Sequence, residues 1–85
     1  MVEDEFNAEK EKHLKSKGFR YIFDRMSWAS DYCFMSIEYL QDHSRREIID
    51  AVEKSEADYI NTGEITFLSN GTIDKGAILK QIYHR

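Results

Sequence analysis

The side chains with the greatest potential for chemistry are three histidines, His13, His43 and His84, and a lone cysteine, Cys33. A cysteine and a histidine can act as a nucleophile and its base, but the thiolate is reactive only in a cationic, accessible setting. Cys33 instead lies between two aromatic residues in the most apolar stretch of the chain. Free cysteines are among the residues most often buried. The sequence therefore predicts a buried structural thiol and no catalytic residue.

The histidines also lack the spacing of a metal site. They lie far apart along the chain, and neither a His-x-x-x-His nor a Cys-x-x-Cys pattern occurs. Such short spacings place two ligands on one helix or one turn. The carboxylates form no Asp-x-Asp-x-Asp loop for calcium, and the four glycines form no phosphate-binding loop. We therefore expect neither a metal site nor a cofactor.

The composition describes one small globular domain that spans residues 1–85. Hydrophobic residues make up 41% and charged residues 33%, a balance typical of folded chains. No apolar run approaches the ~18 residues that a membrane helix requires, and the acidic N-terminus is not a signal peptide. A single cysteine suits a reducing compartment. These features predict a cytoplasmic protein without a membrane segment.

The net charge of −4 is unevenly distributed. Residues 10–25 are basic, whereas residues 1–9 and 26–64 are acidic. An acidic surface opposes general affinity for DNA or RNA, because phosphate binding is driven by clustered cations. The charge pattern therefore favours a basic partner for the middle of the chain and leaves the basic stretch as the candidate for nucleic acid.

The chain is expected to begin with a surface helix over residues 4–17. Its acids come first and its lysines last, which suits the helix dipole, and Gly18 is a typical residue just beyond a helix end. Its apolar stripe is thin, so residues 1–5 are expected to fray.

Strands are expected next. Aromatic residues alternate with other types over residues 19–24, which predicts a strand. A break at residues 26–31 follows, and residues 32–41 again alternate as a strand. A helix that begins after Ser27 also fits the spacing of these residues, and the strand is the preferred interpretation.

The next helix has the clearest start signal. Ser44 and Glu47 form a capping box, in which each side chain satisfies a free backbone amide of the first turn. Apolar residues then recur at helical spacing as far as Ile60, and the helix is expected to stop near Gly63.

A strand over residues 64–69 is expected to follow this helix. Residues 70–71 are an Asn-Gly pair, the typical sequence of a two-residue hairpin turn, so a return strand is expected from Thr72. Helical spacing then covers residues 74–83. The alternative is a hairpin strand that continues through Leu79.

These elements predict an α+β fold in the order α-β-β-α-β-(β)-α. A small antiparallel sheet of three or four strands is expected, with two or three helices packed against it.

We expect this domain to be a small non-enzymatic protein-binding module, such as a bacterial or phage regulator or inhibitor that masks a partner's surface. Its aromatic residues exceed what so small a core can enclose, and Tyr and Trp are enriched in binding hot spots. A tryptophan in an exposed loop over residues 27–31 is the favoured contact. Nearby acids suit a partner with a basic surface, which would be another protein or a second copy of the chain. The predicted contact residues are Trp28, Asp31, Tyr32, Glu38 and Asp42.

The alternative is a nucleic-acid-binding domain that uses the basic stretch between Lys10 and Arg25. Aromatic residues on the neighbouring strand could stack on bases, but so small a core needs most of its rings inside. Positive charge would also surround the helix rather than form one stripe. The cations of this alternative are Lys10, Lys15, Lys17 and Arg20.

Overall fold

The computed structural model describes the backbone of residues 2–83 and the side chains of residues 8–83. The fraying expected for residues 1–5 remains a prediction, and His84 lies outside the described residues. No helix within it is long and apolar enough to cross a membrane. The elements are α1 (Val2–Ser16), β1 (Arg20–Ile22), β2 (Ser27–Ala29), β3 (Cys33–Ser36), α2 (Ile37–Asp42), α3 (Arg45–Thr62), β4 (Thr66–Leu68) and α4 (Lys75–Ile78). The predicted α+β fold is confirmed.

Helix α1 ends as its sequence predicts. Gly18 adopts a φ of +87°, a left-handed conformation that costs glycine little. Its N–H donates to the carbonyl of Lys15 at 3.1 Å, and the N–H of Phe19 donates to that of Leu14 at 3.0 Å. This pair of bonds is a Schellman motif. Leu14 and Phe19 are both buried, so the end of the helix is also fixed by the core.

The first three strands form an antiparallel meander, in which β2 lies between β1 and β3. The expectation of a break at residues 26–31 is therefore wrong for Ser27–Ala29. Met26 adopts a φ of 47°, so the chain reverses within one turn and enters β2 at once. Small residues on either side of Trp28 resemble a loop in sequence, but they also suit an inner strand that is covered on both faces.

The segment over residues 32–41 is divided between two element types. The predicted strand is correct for Cys33–Ser36 and wrong beyond it, where α2 begins. Ser36 causes the change, because its hydroxyl accepts a hydrogen bond from the N–H of Tyr39 at 3.1 Å and so caps the helix. The helical alternative thus holds only for the second half, with Ser36 and not Ser27 as its cap.

The capping box at the start of α3 is confirmed. The N–H of Glu47 donates to Ser44 Oγ at 3.2 Å, and the N–H of Ser44 donates to Glu47 Oε1 at 3.0 Å. The bond from the Ser44 N–H favours the ionised carboxylate, and together with the Ser44 side chain it lowers the pKa of Glu47. At the other end, Gly63 has a φ of +76° and donates its N–H to the carbonyl of Tyr59 at 2.8 Å. Local sequence therefore sets both ends of the longest helix described.

Replacement of Ser44 by alanine is expected to lower the free energy of unfolding by about 1 kcal/mol, because an orphan amide of α3 loses its acceptor. Urea unfolding measures this change. Arg46→Ala, an exposed neighbour without a capping role, should stay within about 0.5 kcal/mol of the unmodified protein. Equal effects of the two substitutions would show that the cap contributes nothing.

Strand β4 pairs parallel to β3, with Thr66 opposite Cys33, so the sheet is mixed rather than wholly antiparallel. The predicted hairpin at residues 70–71 is wrong. Within the described residues no return strand follows, and the chain instead crosses to α4. The physical reason is the second face of the sheet, which a return strand at the edge would leave uncovered.

Helix α4 covers that second face. Asp74 caps it by accepting the N–H of Ala77 at 3.1 Å, and a π-helical segment, Leu79–Tyr83, continues it. The helical prediction for residues 74–83 is therefore confirmed, and its strand alternative is wrong.

The alternation of side chains along β2 and β3 divides the core between the two faces. Trp28, Cys33 and Met35 belong to the larger cluster, with α1, α2 and α3. Ala29 and Phe34 belong to the smaller cluster, with Ile78 and Ile82. Cys33 and Met35 therefore pack on the opposite face of β3 from Phe34, as the period of two in a strand requires.

Candidate binding surface

A cluster of aromatic rings lies where β1 turns toward β2. The ring centroid of Tyr21 is 4.9 Å from that of Phe23 and 5.4 Å from that of Trp28, with edge-to-face geometry in both pairs. Aromatic rings favour this arrangement, because the positive edge of one ring meets the negative face of the other. The cluster therefore anchors the first residue of the turn against the sheet.

A single 3₁₀ turn, Phe23–Arg25, joins the two strands. The N–H of Met26 donates to the carbonyl of Phe23, and the carbonyl of Met26 accepts the N–H of Ile37, each at 3.2 Å. Arg25 Nε donates to Gln81 Oε1 at 2.6 Å. Bonds to α2 and to the C-terminal helical segment thus hold the turn, although Met26 has a left-handed backbone that few bulky residues adopt.

The turn exposes two large apolar side chains. Phe23 is 83% exposed and Met26 is 61% exposed. Among the described residues the third exposed large apolar side chain is Ile60, on α3, at 75%. Scattered single apolar residues are common on surfaces, and Phe23 and Met26 differ from such residues because both lie on one hydrogen-bonded turn.

Acidic side chains flank the turn. Asp24 is exposed within it, and Glu38 is exposed in the first turn of α2, next to the residue that bonds Met26. Asp42 is exposed one helical turn farther on and accepts a hydrogen bond from the side-chain amide of Asn70. We define the tip surface as Phe23, Asp24, Met26 and Glu38.

Two clefts adjoin the tip surface. The first, the tip cleft, has a volume of about 340 Å³ and is lined in part by Asp24, Met26 and Glu38. The second, the aromatic cleft, has a volume of about 380 Å³. Its lining residues are Glu11, Lys15, Phe19, Arg20, Tyr21, Phe23, Trp28 and Ile37.

The structure corrects the predicted exposure of two contact residues. Trp28 is 4% exposed, because it belongs to β2 and not to a surface loop. Tyr32 is also buried, with its ring centroid 5.9 Å from that of Phe19, and burial raises its pKa to about 12. Neither ring is available to a partner in the way the sequence predicts.

The three predicted acidic contacts lie in two places. Glu38 and Asp42 are on α2, beside the tip surface. Asp31 is exposed in the connection from β2 to β3, at the opposite end of the sheet from the turn. The structure therefore groups two of these acids and separates the third.

Lys10 is not accessible to a nucleic acid, because its side chain is fully buried. Its Nζ donates to the carbonyl of Leu40 at 2.6 Å. Burial lowers the pKa of Lys10, and the negative charges of Asp42 and Glu47 oppose this shift. The residue thus secures the end of α2, where backbone carbonyls lack helical partners.

The other three cations of that alternative are also dispersed. Lys15 and Arg20 are both exposed and both line the aromatic cleft. Lys17 is half-buried, and its carbonyl accepts the hydroxyl of Tyr32 at 3.4 Å. Among the described residues, the four cations therefore do not form one basic face.

Cys33 is buried as the sequence predicts. Burial raises the pKa of its thiol to about 11, and a hydrogen bond with Ser55 acts weakly in the opposite direction. A thiol with so high a pKa is almost wholly protonated near neutral pH, so it is a poor nucleophile.

The histidines within the described range lie on different elements. His13 is half-buried on α1, where burial lowers its pKa and the charges of Lys17 and Arg45 lower it further. The ring of His43 stacks on Tyr39 with centroids 3.8 Å apart. In the described part of the chain, no three His, Cys, Asp or Glu side chains are grouped to hold a metal ion.

Sequence reasoning missed the two most exposed apolar residues of the tip surface. Phe23 belongs to the aromatic alternation that predicts a strand over residues 19–24, and Met26 belongs to the predicted break at residues 26–31. The useful signal was the Asp-Arg pair that follows Phe23, because two charged residues mark the end of the strand.

Comparisons with known protein families, curated proteins and solved structures found no significant match to this chain.

Proposed function

We propose that this protein is a non-enzymatic protein-binding module that masks part of a partner's surface with its tip surface. The observation that carries the proposal is the exposure of Phe23 and Met26, at 83% and 61%, on a turn that hydrogen bonds hold in place. Full burial of one such side chain contributes about 1.5–3 kcal/mol. An anchored pair can therefore supply the central contact of an interface without much loss of backbone entropy.

The chemistry of the tip surface supports a particular kind of partner. The two apolar side chains would fit an apolar pocket on the partner. The exposed carboxylates of Asp24 and Glu38 would pair with cations around that pocket. Opposite charge at the rim speeds encounter and sets orientation more than it adds affinity. We therefore infer a protein partner with an apolar pocket inside a basic surface, in the cytoplasm, where a free thiol such as Cys33 is stable.

The double substitution Phe23→Ser with Met26→Ser is expected to weaken partner binding at least about tenfold, because both central contacts are lost. The measurement is affinity capture from cells of the native host with tagged protein, followed by titration of the captured protein. Ile60→Ser is the matched control, since it removes an equally exposed apolar side chain from another surface. Ile60→Ser should unfold within about 0.5 kcal/mol of the unmodified protein. The double variant is expected to lose up to about 1.5 kcal/mol, because the contact between the rings of Phe23 and Tyr21 is removed, and circular dichroism verifies that it remains folded.

Loss of the same partner with Ile60→Ser, and its retention by the double variant, would contradict the proposal. The partner could also be a second copy of the chain, and the mass of the purified protein, measured by light scattering, tests this case. A dimer that the double substitution dissociates would identify the tip surface as a self-association site.

A further inference from the structure

One ring nitrogen of His13 is buried without a hydrogen-bond partner. This atom, Nε2, is shielded from solvent, and within residues 8–83 no group donates to it or accepts from it. A neutral imidazole can carry its single proton on the other nitrogen, which leaves Nε2 as a bare acceptor. Protonation of the ring makes both nitrogens donors. Because a buried N–H without an acceptor is costly, the surroundings of Nε2 favour the neutral ring.

His13 lies where α1 packs against α3. It is in the last turn of α1, next to Leu14. Leu14 is fully buried in the larger cluster, together with Ile48 and Val52 of α3. Helix α1 therefore covers part of this core, and the charge of the His13 ring acts at the contact between the two helices.

The charges around His13 also disfavour a cationic ring. The charged neighbours, which lie on α1, just beyond it and on α3, are Glu9, Lys12, Lys17, Arg45 and Glu53. Cations outnumber acids in this set, and the carboxylate of Glu9 lies 3.9 Å from the guanidinium of Arg45. Lys10, one turn before His13, is directed to α2, where its Nζ donates to the carbonyl of Leu40. A proton on His13 would thus add charge to a site that is already basic.

We propose that the contact between α1 and α3 is pH-sensitive, so that protonation of His13 makes detachment of α1 from the larger cluster more frequent. Detachment places the ring in water, where both of its N–H groups find acceptors. The detached state therefore binds the proton more tightly than the docked state, and acid shifts the equilibrium toward detachment. This inference goes beyond the proposed function and does not depend on it, because no residue of the tip surface takes part.

Hydrogen exchange of the α1 amides, followed by NMR at about pH 7.5 and at about pH 5.5, measures detachment. These two values lie on either side of the ordinary pKa of histidine. Exchange rates are corrected for the effect of pH on the chemistry, and the α3 amides report on unfolding of the whole chain. Relative to α3, the protection of α1 should fall at least about threefold at the lower pH.

Three variants assign the effect to His13. His13→Gln is neutral at both pH values and should abolish most of the fall in protection. His43→Gln is the matched control, since it removes another histidine ring, at the end of α2, and should leave the fall unchanged. Arg45→Gln should make the fall smaller, because a cation that faces the His13 ring is lost.

Titration of the His13 ring is a second readout that needs no variant. The NMR signal of the ring should titrate at lower pH in the folded protein than in the chain unfolded in urea, because burial lowers the pKa of His13. The proposal is overturned if the ring titrates at the same pH in both states. It is equally overturned if α1 loses no more protection than α3, or if His13→Gln retains the full fall.

Discussion

Replacement of Phe34 by alanine is expected to destabilise the protein by about 3–5 kcal/mol. Phe34 lies on the inner strand β3 and is the largest side chain in the core of the smaller cluster, against Ile78 and Ile82. Its ring centroid is also 6.1 Å from that of Phe67 on β4. A chain of this length has a total stability of roughly 4–13 kcal/mol, so the loss is a large part of the whole.

Urea unfolding, followed by circular dichroism, measures this effect. Phe34→Leu is the matched control and should cost much less, because it keeps most of the apolar volume. A loss below about 1 kcal/mol for the alanine variant would mean that α4 does not depend on Phe34 for its position. The face covered by α4 would then be separable from the rest of the fold.

Stability is expected to fall by about 2 kcal/mol between about pH 8 and about pH 11 through Cys33 alone. Burial raises the pKa of this thiol from 9.0 to about 11. In this range the unfolded chain loses the thiol proton while the folded protein retains it. Since the folded state then binds more protons, the free energy of unfolding falls as pH rises.

Comparison with a Cys33→Ala variant isolates this contribution. The raised pKa of Tyr32 acts in the same direction as that of Cys33, and the lowered pKa of Lys10 acts in the opposite direction. Both groups are present in the two proteins, so their shifts cancel in the difference, apart from the small part of the Tyr32 shift that the charge of Cys33 itself causes. The variant should lose about 2 kcal/mol less than the unmodified protein over this pH range, and parallel pH profiles would show that Cys33 is not the cause.

The elements that the sequence predicts correctly depend on neighbouring residues. The capping box of Ser44 and Glu47 needs only one helical turn to form. Gly18 and Gly63 end their helices because a left-handed conformation is available to them locally. Such features carry their own physical cause within a few positions, so the sequence is sufficient to predict them.

The features that the sequence does not predict depend on distant parts of the chain. Residues 70–71 have the sequence of a hairpin turn, but the chain continues to α4 because the second face of the sheet must be buried. Similarly, Ser27–Ala29 becomes a strand because β1 and β3 are available on both sides. Neither the burial of the second face nor the pairing with β1 and β3 can be predicted from neighbouring residues alone.

The same reason separates the predicted contact residues from the tip surface. Phe23 and Trp28 are both aromatic residues close in sequence, and the choice of which one is exposed depends on where β1 ends. Because the strand ends at Ile22, Phe23 passes into the turn, and Trp28 is placed between two strands. Glu38 and Asp42 lie one helical turn apart on α2, whereas the sequence favours a strand for this segment.

The parallel pairing of β3 with β4 has a larger cost in chain entropy than the pairing of the first three strands. Cys33 meets Thr66 only after the whole helical crossover has brought these distant positions together, whereas the meander joins strands that adjoin along the chain. The crossover between β3 and β4 must close, at a cost in chain entropy, before the hydrogen bonds between these strands can form. Among the four strands, β4 is therefore expected to be the last to pair during folding. Asn70, just beyond β4, donates a hydrogen bond to Asp42 on α2, beside the tip surface.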